Sequence, residues 1–457
     1  MGALGNVRGL LFVAATACSC VAGAPPATAP TGQILSTPHG NPKYRSDIHG
    51  SAYEWLEDKQ RAAYGPAAKP PTLEELKRVI ASLPQREGWE PAETILEAVK
   101  IAEITLPTRY EDIGPYFLVD SRAQVVRHAL GRIRQGGDVP EIEWGTLPTG
   151  EVNAAAQLVG KENLVILNRG LFAFLYGSFL TVDRTVAVTR EKGAVGLDFS
   201  ESAYDRAVAT NSPLSADYSN LVVAFAANLQ PPDIVFADDL EAPIVSLQLN
   251  SAERFIVAHE FGHILANDTG AGVRILHLLQ AEGGWRNVAT NARDWIQELR
   301  ADTRGLELWA AARTDEPGIS ASPSPLFEAL DAYAPVLFLT IADALEDARF
   351  CGGSGQGSRR RLPPAVLQRL TKKASAARES GVAIPSDDPD VKSLGCRLQS
   401  HPPAWLRQEL LMPLINSNIR DTQEADLART LVANASKLAV LNAETIRGKL
   451  AAAALPD

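Results

Sequence analysis

Apolar residues recur every three or four positions over most of the chain, a spacing typical of helices that bury one face. In the first third of the sequence this pattern covers Leu73–Leu83, Ala92–Leu106 and Ser121–Gln135. The middle changes to β-branched or alternating segments that predict strands, at residues 163–168, 180–189, 194–200 and 244–250. Helical spacing then returns and continues to the end. The chain is therefore predicted to be α+β and mostly helical, with a small sheet immediately before a helix that starts at Asn250 or Ser251.

Shifts in composition divide the chain into five predicted regions. Residues 1–24 carry one Arg, then the apolar run Leu10–Ala17, then small residues, which is the layout of a secretory signal peptide. Residues 25–70 are rich in Pro, Gly and Ala and predict a tether. The other regions are a helical N-terminal part at 71–150, a core at 151–410 with an insertion at 176–250, and C-terminal helices at 411–457.

The leader predicts an exported protein that is periplasmic, extracellular or anchored by a lipid. Cys18 or Cys20 would carry that lipid, although neither has a Leu three residues before it. The alternative is an Ala-rich tail on a cytoplasmic protein. No segment after the leader reaches the roughly 18 uninterrupted apolar residues of a membrane helix. Membrane contact is therefore predicted only through the N-terminus.

The net charge argues against one class of partner, and the cysteines allow two interpretations. The formal net charge of -10 argues against a nucleic-acid partner, because proteins that bind nucleic acids present a basic surface. After the leader only Cys351 and Cys396 remain. They form either one disulfide or two unrelated thiols, and both interpretations remain open.

Two of the seven histidines fall within five positions, in the segment FIVAHEFGHILAND at Phe255–Asp268. On a helix, a spacing of four places His259 and His263 about 40° apart and one turn along, so both imidazoles can bind one ion. Glu260 lies about 100° from His259, beside the ion, where it can hold a metal-bound water. Apolar residues surround these three on every side of the helix. Burying such polar groups is costly unless they are paired or bind a metal, so the segment predicts a catalytic metal helix.

A catalytic zinc takes three protein ligands and leaves a fourth position open. The best candidate for the third ligand lies in WIQELRADTRGLELW, at Trp295–Trp309. Glu298 and Asp302 are one helical turn apart there, on the stripe that also carries both tryptophans and Gly305. Glu298 is predicted to be the zinc ligand, and Asp302 to accept the second N–H of a ligating histidine. The alternative is a buried Glu/Asp pair tied to an arginine.

His-Glu-x-x-His followed by Glu-x-x-x-Asp resembles the gluzincin metallopeptidases, in particular the HtpX-like and CAAX-prenyl-protease-like families. Val152–Ala154 followed by NLVILNRGLFAFL (Asn163–Leu175) is similar to the segments that precede the metal helix in those families. ELRADTRGLEL (Glu298–Leu308) resembles their Glu-x-x-Ala-Asp-x-x-Gly helix, and QSHPPAWLR (Gln399–Arg407) resembles their His-Pro segment. The transmembrane helices of the membrane members have no counterpart here.

The resemblance implies a zincin-like fold in which the small sheet packs on the His-Glu-x-x-His helix. It implies one Zn²⁺, held by His259, His263 and Glu298, in an endopeptidase that hydrolyses peptide bonds. Glu260 would take a proton from the zinc-bound water and return it to the leaving amine.

The resemblance also implies roles for residues outside the metal helix. His401 and Arg407 become candidate donors to the oxyanion, although His401 is equally a helix-entry residue before two prolines. Asn153 and Ala154 become a sheet edge along which a peptide or protein substrate pairs, although Asn153 is equally a turn residue. Two other functions stay open: a non-catalytic metal-binding scaffold on the same fold, and a cytoplasmic metallopeptidase that responds to stress or phage. The intact Glu260 favours an enzyme.

Overall fold

The structure is a computed structural model that describes part of the chain. The described residues are 43–44, 51–65, 105–111, 113–134, 137–191, 194–210, 212–227, 237–238, 241–266, 292–313, 325–351, 404–417, 419 and 422–453. Contacts divide the chain into two compact units. Unit 1 comprises residues 1–180, 230–257 and 311–322, and unit 2 comprises residues 181–229, 258–310 and 323–457.

Unit 1 contains a three-stranded mixed sheet, a pair of two-residue strands and several helices. The strands are β1 (Lys43–Tyr44), β2 (Thr105–Leu106), β3 (Ile142–Leu147), β4 (Ala154–Val159) and β5 (Glu162–Asn168). The helices are α1 (Ala52–Tyr64), α2 (Ile113–Ile133) and most of α3 (Arg169–Asp183). β5 is the central strand and pairs with β3 in parallel and with β4 antiparallel. β1 and β2 pair in parallel.

The core of unit 1 forms around β5, which is apolar on both faces. Leu164 and Ile166 lie two positions apart, so they share one face of the strand, and they pack against Ala52, Tyr53 and Leu56 of α1. The two-residue turn between β4 and β5 starts at Gly160, which has a positive φ of 62°. This conformation suits glycine because an L side chain is strained there. The turn therefore fixes the register of the hairpin.

Unit 2 is helical apart from one described hairpin. Its strands are β6 (Ala187–Glu191) and β7 (Ala194–Asp198), which pair antiparallel. Its helices include α4 (Glu201–Thr210), α5 (Ser212–Ala226), α8 (Pro325–Cys351), α9 (Ala404–Ser417), α10 (Thr422–Leu441) and α11 (Ala443–Ala453). Two further helices, α6 (Glu241–Leu265) and α7 (Ala292–Arg313), contribute Ala258–Leu265 and Ala292–Ala310 to this unit.

The longest described helix, α8, packs against α5, α9 and α10 within unit 2. Its residues Ala344 and Ala348 share a buried cluster with Tyr218 of α5, Leu438 of α10 and Ile446 of α11. Pro325–Arg349 is long and apolar enough to cross a membrane by length and composition alone. However, 67% of its most apolar window is buried inside the protein, and core helices pass the same test.

The observed architecture, mostly helical with a small mixed sheet, confirms the coarse prediction of an α+β chain. The zincin-like fold, and the packing of the sheet on the motif helix, stay predictions. Among the predicted strands, 163–168 and 194–200 are confirmed by β5 and β7. The segment 180–189 is only partly a strand, because α3 continues to Asp183 and β6 starts at Ala187.

The predicted strand at 244–250 is wrong, and so is the predicted start of the motif helix at Asn250 or Ser251. α6 starts at Glu241, nine positions before Asn250, and includes that whole segment. Asp238 caps it: its side chain accepts the Glu241 N–H at 2.9 Å, and Glu241 returns a bond to the Asp238 N–H at 2.8 Å. This reciprocal capping box starts the helix earlier than the apolar pattern indicated.

The predicted tether at 25–70 is wrong for the part that the structure describes. α1 lies within it and buries Ala52 and Leu56 completely. The predicted helix Ser121–Gln135 is confirmed by α2, which starts earlier, at Ile113. The predicted helix at 92–106 is wrong at its last two residues, which form the strand β2. The rest of that segment lies outside the described residues. The predicted helix at 73–83, the leader and Cys396 lie outside them as well.

Candidate metal centre

The C-terminal half of α6 is buried on every side. Every residue from Ser251 to Gly262 is buried, and His263 is the first one that is partly exposed. His259 is 7% exposed and Glu260 is 5% exposed. The prediction that apolar residues surround the motif on every side of the helix therefore agrees with the burial of the helix as far as Gly262. Such burial requires a partner for each polar side chain.

The two imidazoles face each other across one helical turn. Their Nε2 atoms are 3.0 Å apart, and the ring planes meet at 89°. The spacing of four residues thus brings one nitrogen of each ring to a common point, as predicted.

α7 brings a carboxylate to the same point. Glu298 Oε2 lies 3.4 Å from His259 Nε2, and Oε1 lies 3.4 Å from His263 Nε2. Ligands at about 2.0–2.1 Å from a tetrahedral zinc are about 3.3 Å from one another. The three observed separations of 3.0, 3.4 and 3.4 Å match that spacing. Two imidazoles and one carboxylate therefore form a donor set into which a small divalent cation fits.

The orientation of α7 agrees with the predicted stripe. Asp302 and Trp309 are completely buried, whereas Gln297 and Glu307 are exposed on the other side. Glu307 pairs there with Arg304 at 2.7 Å. The side chain of Trp295 lies outside the described residues.

Two glycines let α6 and α7 approach each other closely enough for these contacts. A Cβ on Gly262 would lie 2.6 Å from the Ala301 carbonyl oxygen, and a Cβ on Gly305 would lie 2.8 Å from the His259 backbone nitrogen. Distances this short are sterically forbidden between backbone atoms and a methyl group. Gly262 and Gly305 therefore set the separation of the two helices at the level of the histidines.

Asp302 lies behind His259 and joins it to an arginine. Its Oδ1 is 2.9 Å from His259 Nδ1. Arg407, at the start of α9, donates two hydrogen bonds to Asp302, from Nε to Oδ2 at 2.7 Å and from Nη2 to Oδ1 at 2.6 Å. Asp302 thus lies close to a ring nitrogen of His259, and its role as the acceptor for a ligating histidine stays a prediction. The alternative interpretation, a buried acid tied to an arginine, is seen for Asp302.

The carboxylates favour positive charge at the histidines. Burial alone would lower the pKa of His259, but hydrogen bonds to Asp302 and Glu298, together with their charges, raise it to about 10. Burial and the neighbouring His259 lower the pKa of His263 to about 4. Burial would raise the pKa of Asp302, but Arg407 and His259 hold it far below its usual range. The two carboxylates therefore favour a positive charge on His259, which burial alone would disfavour.

Two glutamates lie near the histidines. The ligand atoms of His259, Glu260 and His263 all lie within 4.8 Å of one another, so this group also could hold a metal. One Glu298 oxygen lies 3.4 Å from each Nε2, and this glutamate comes from a separate helix. Either glutamate could therefore complete a metal-binding group with the two histidines.

The other predicted site residues have different outcomes. His401 falls outside the described residues. Asn153 and Ala154 belong to unit 1, at the start of β4, an edge strand of the three-stranded sheet among the described residues. The Asn153 carbonyl accepts a hydrogen bond from the Asn168 N–H at 3.0 Å. Arg407 is in unit 2 with all the metal-site residues.

The partnership of Arg407 with Asp302 is the feature of the site that the sequence analysis missed. The two residues are 105 positions apart, and no periodic pattern links them. The only available signal was that a buried carboxylate needs a cationic partner, which does not say which of the arginines supplies it.

The chain matches no protein-family model, no curated protein and no solved structure.

Proposed function

We propose that this protein is a zinc-dependent endopeptidase of the gluzincin type. The observation that carries the proposal is the convergence of His259 Nε2, His263 Nε2 and the Glu298 carboxylate, at separations of 3.0 to 3.4 Å. Glu260, the expected base, is next to the first of these ligands in the sequence.

The donor set favours a transition-metal ion such as zinc over Mg²⁺ and Ca²⁺. Mg²⁺ and Ca²⁺ prefer sites made only of oxygen ligands, whereas imidazole nitrogens suit zinc. Structural zinc sites use four protein ligands, and catalytic sites use three and leave a position for water or substrate. His259, His263 and Glu298 make three, which supports a catalytic site.

When bound here, zinc would act as a Lewis acid that lowers the pKa of a water ligand and polarises the scissile carbonyl. Glu260 accepts the proton of the attacking water and afterwards donates it to the leaving amine. His259 and His263 would hold the ion through Nε2, and Asp302 is placed to accept the Nδ1–H of His259. That hydrogen bond would leave the Nε2 lone pair of His259 free to bind the ion.

Peptide bonds are proposed as the substrate because of the resemblance of the two metal helices to gluzincins. On the same ground, His401 remains a proposed donor to the oxyanion, and Asn153 and Ala154 remain a proposed substrate edge. Export also remains a proposal, and the N-terminal sequence of the mature protein would distinguish it from a cytoplasmic location.

The proposal is tested by zinc analysis of the purified protein and the Glu298→Ala variant. Wild-type protein is expected to contain one zinc per chain, and Glu298→Ala to lose it on dialysis, because the substitution removes the carboxylate of the proposed three-ligand set. Glu307→Ala is the matched control, since it removes an exposed glutamate of the same helix.

Retention of one zinc by Glu298→Ala would refute the ligand set. Wild-type protein that binds zinc but hydrolyses no protein substrate would instead indicate the non-catalytic scaffold. The two measurements therefore separate the metal assignment from the enzymatic one.

A further inference from the structure

We infer that Arg407 is a positioning residue of the metal centre and that it acts on the ion through Asp302 and His259. The inference rests on the proposed zinc site. It gives Arg407 a different role from that of an oxyanion donor, because both of its described hydrogen bonds go to Asp302.

The contacts form one continuous chain of polar groups. Arg407 binds both oxygens of Asp302, at 2.6 and 2.7 Å. Asp302 Oδ1 also lies 2.9 Å from His259 Nδ1, and the other ring nitrogen, Nε2, faces His263 and Glu298. The orientation of the Asp302 carboxylate therefore determines where the His259 ring points.

The two-point contact is what fixes that carboxylate. A carboxylate held at one oxygen can still rotate about its Cβ–Cγ bond. A planar guanidinium that binds both oxygens defines the plane of the group. With that plane fixed, Oδ1 is held 2.9 Å from Nδ1, which favours the His259 tautomer that carries its proton on Nδ1.

Burial makes this arrangement specific to arginine. Asp302 is completely buried, and the side chain of Arg407 is 10% exposed. Lysine would supply the charge as a single point without the planar fork, so it would leave one oxygen of Asp302 without its hydrogen bond. Because Arg407 lies on α9, the pairing also makes this helix part of the proposed metal centre. α9 follows the proposed ligands by more than a hundred positions in the sequence.

The test compares zinc affinity in wild-type protein and in Arg407→Lys by competition with a chromogenic chelator. Removal of an outer partner of a metal ligand typically costs 10- to 100-fold in metal affinity. We expect Arg407→Lys to bind zinc about 10-fold more weakly, at the lower end of that range because its charge is kept. Arg304→Lys is the control, since its partner Glu307 is exposed and is not a ligand.

A double-mutant cycle with Asp302→Asn shows whether Arg407 acts through Asp302. If it does, Arg407→Lys changes zinc affinity in the wild-type background and has no further effect in the Asp302→Asn background. An equal loss in both backgrounds would overturn the inference, and so would wild-type affinity in Arg407→Lys. Arg407→Gln provides a second variant if the lysine protein does not fold.

The tautomer gives a readout that does not depend on activity. In zinc-loaded protein labelled with ¹⁵N-histidine, the Nδ1–H of His259 should give a slowly exchanging downfield proton signal. That signal should broaden or shift in Arg407→Lys and stay in place in Arg304→Lys. If wild-type protein binds no zinc, both the proposed function and this inference are wrong. If wild-type protein binds zinc and the Arg407 variants show the same zinc affinity and the same proton signal, only this inference is wrong.

Discussion

At the scale of single residues, two glutamates lie near the histidines, and they come from different helices. Glu298 approaches the histidines from α7 and contacts both Nε2 atoms, whereas Glu260 is carried by the same helix as the histidines. A ligand and a general base need different positions, because the base must reach the water and not occupy the ion's coordination sphere. This division supports Glu298 as ligand and Glu260 as base.

Glu260→Gln should keep zinc and lose hydrolysis. Glutamine has nearly the same shape but cannot accept a proton, so the rate should fall by about 10²- to 10⁴-fold, the usual contribution of a general base. The measurements are zinc content and the initial rate on a protein substrate such as casein. A variant that cleaves casein at the wild-type rate would show that Glu260 is not the base.

The positions of the motif residues relative to one another were predictable because these residues are close in the sequence and lie on one helix. Helical geometry alone places His259 one turn from His263, and the apolar neighbours make their burial evident. The same geometry places Glu298 one turn from Asp302 on the buried stripe of α7. Arg407 was not predictable in this way, because tertiary folding and not helical spacing brings it to Asp302.

At the scale of elements, the centre depends on how closely α6 and α7 cross. The ligand set is divided between them, so a change in their separation moves Glu298 relative to the histidines. Gly262 faces Ala301, and Gly305 faces the backbone of His259. The helices are in contact through backbone atoms at these two positions, which leaves no room for a side chain.

Gly305→Ala should therefore weaken zinc binding without touching a ligand. Its Cβ would lie 2.7 Å from His259 Cα, so α7 must shift away from α6, and such overpacking typically costs about 1–3 kcal/mol of folding stability. Zinc affinity and the free energy of unfolding in urea would both be measured, and both should decrease.

Gly448→Ala is the matched control for that change. Gly448 lies inside α11, and a Cβ there would meet no atom within 4 Å. The substitution should stabilise the helix by up to about 1 kcal/mol, because alanine has the higher helix propensity. If Gly305→Ala instead behaves like Gly448→Ala, close packing of the two helices does not set the ligand geometry.

The elements were predicted less well at their boundaries than in their interiors. The segment IVSLQLN (Ile244–Asn250) has the β-branched and alternating residues of a strand, but it is helical. A short apolar run fits either a strand or a buried helix, and periodicity alone does not distinguish them. The capping box of Asp238 and Glu241 was the local signal that favoured the helix. These two residues lie twelve and nine positions before Asn250, the predicted start, so their recognition required a search well before it.

At the scale of the whole molecule, unit 2 contains every residue of the candidate centre. These residues come from three stretches of the chain: the end of α6, the middle of α7 and the start of α9. An ion held by α6 and α7 would cross-link two segments that are distant in the sequence. α9 would be joined to them through the contact between Arg407 and Asp302. Binding to the folded state alone stabilises that state by mass action.

Removal of zinc should therefore destabilise the protein. At a free zinc concentration 100 times the Kd, bound metal contributes about 2.7 kcal/mol, so a chelator should lower the Tm by several degrees and added zinc should restore it. His259→Ala, which lacks a ligand, should start from the lower Tm and respond to neither treatment. Differential scanning calorimetry at one protein concentration would measure these shifts. Equal responses of wild-type protein and His259→Ala would mean that the metal acts somewhere other than this centre.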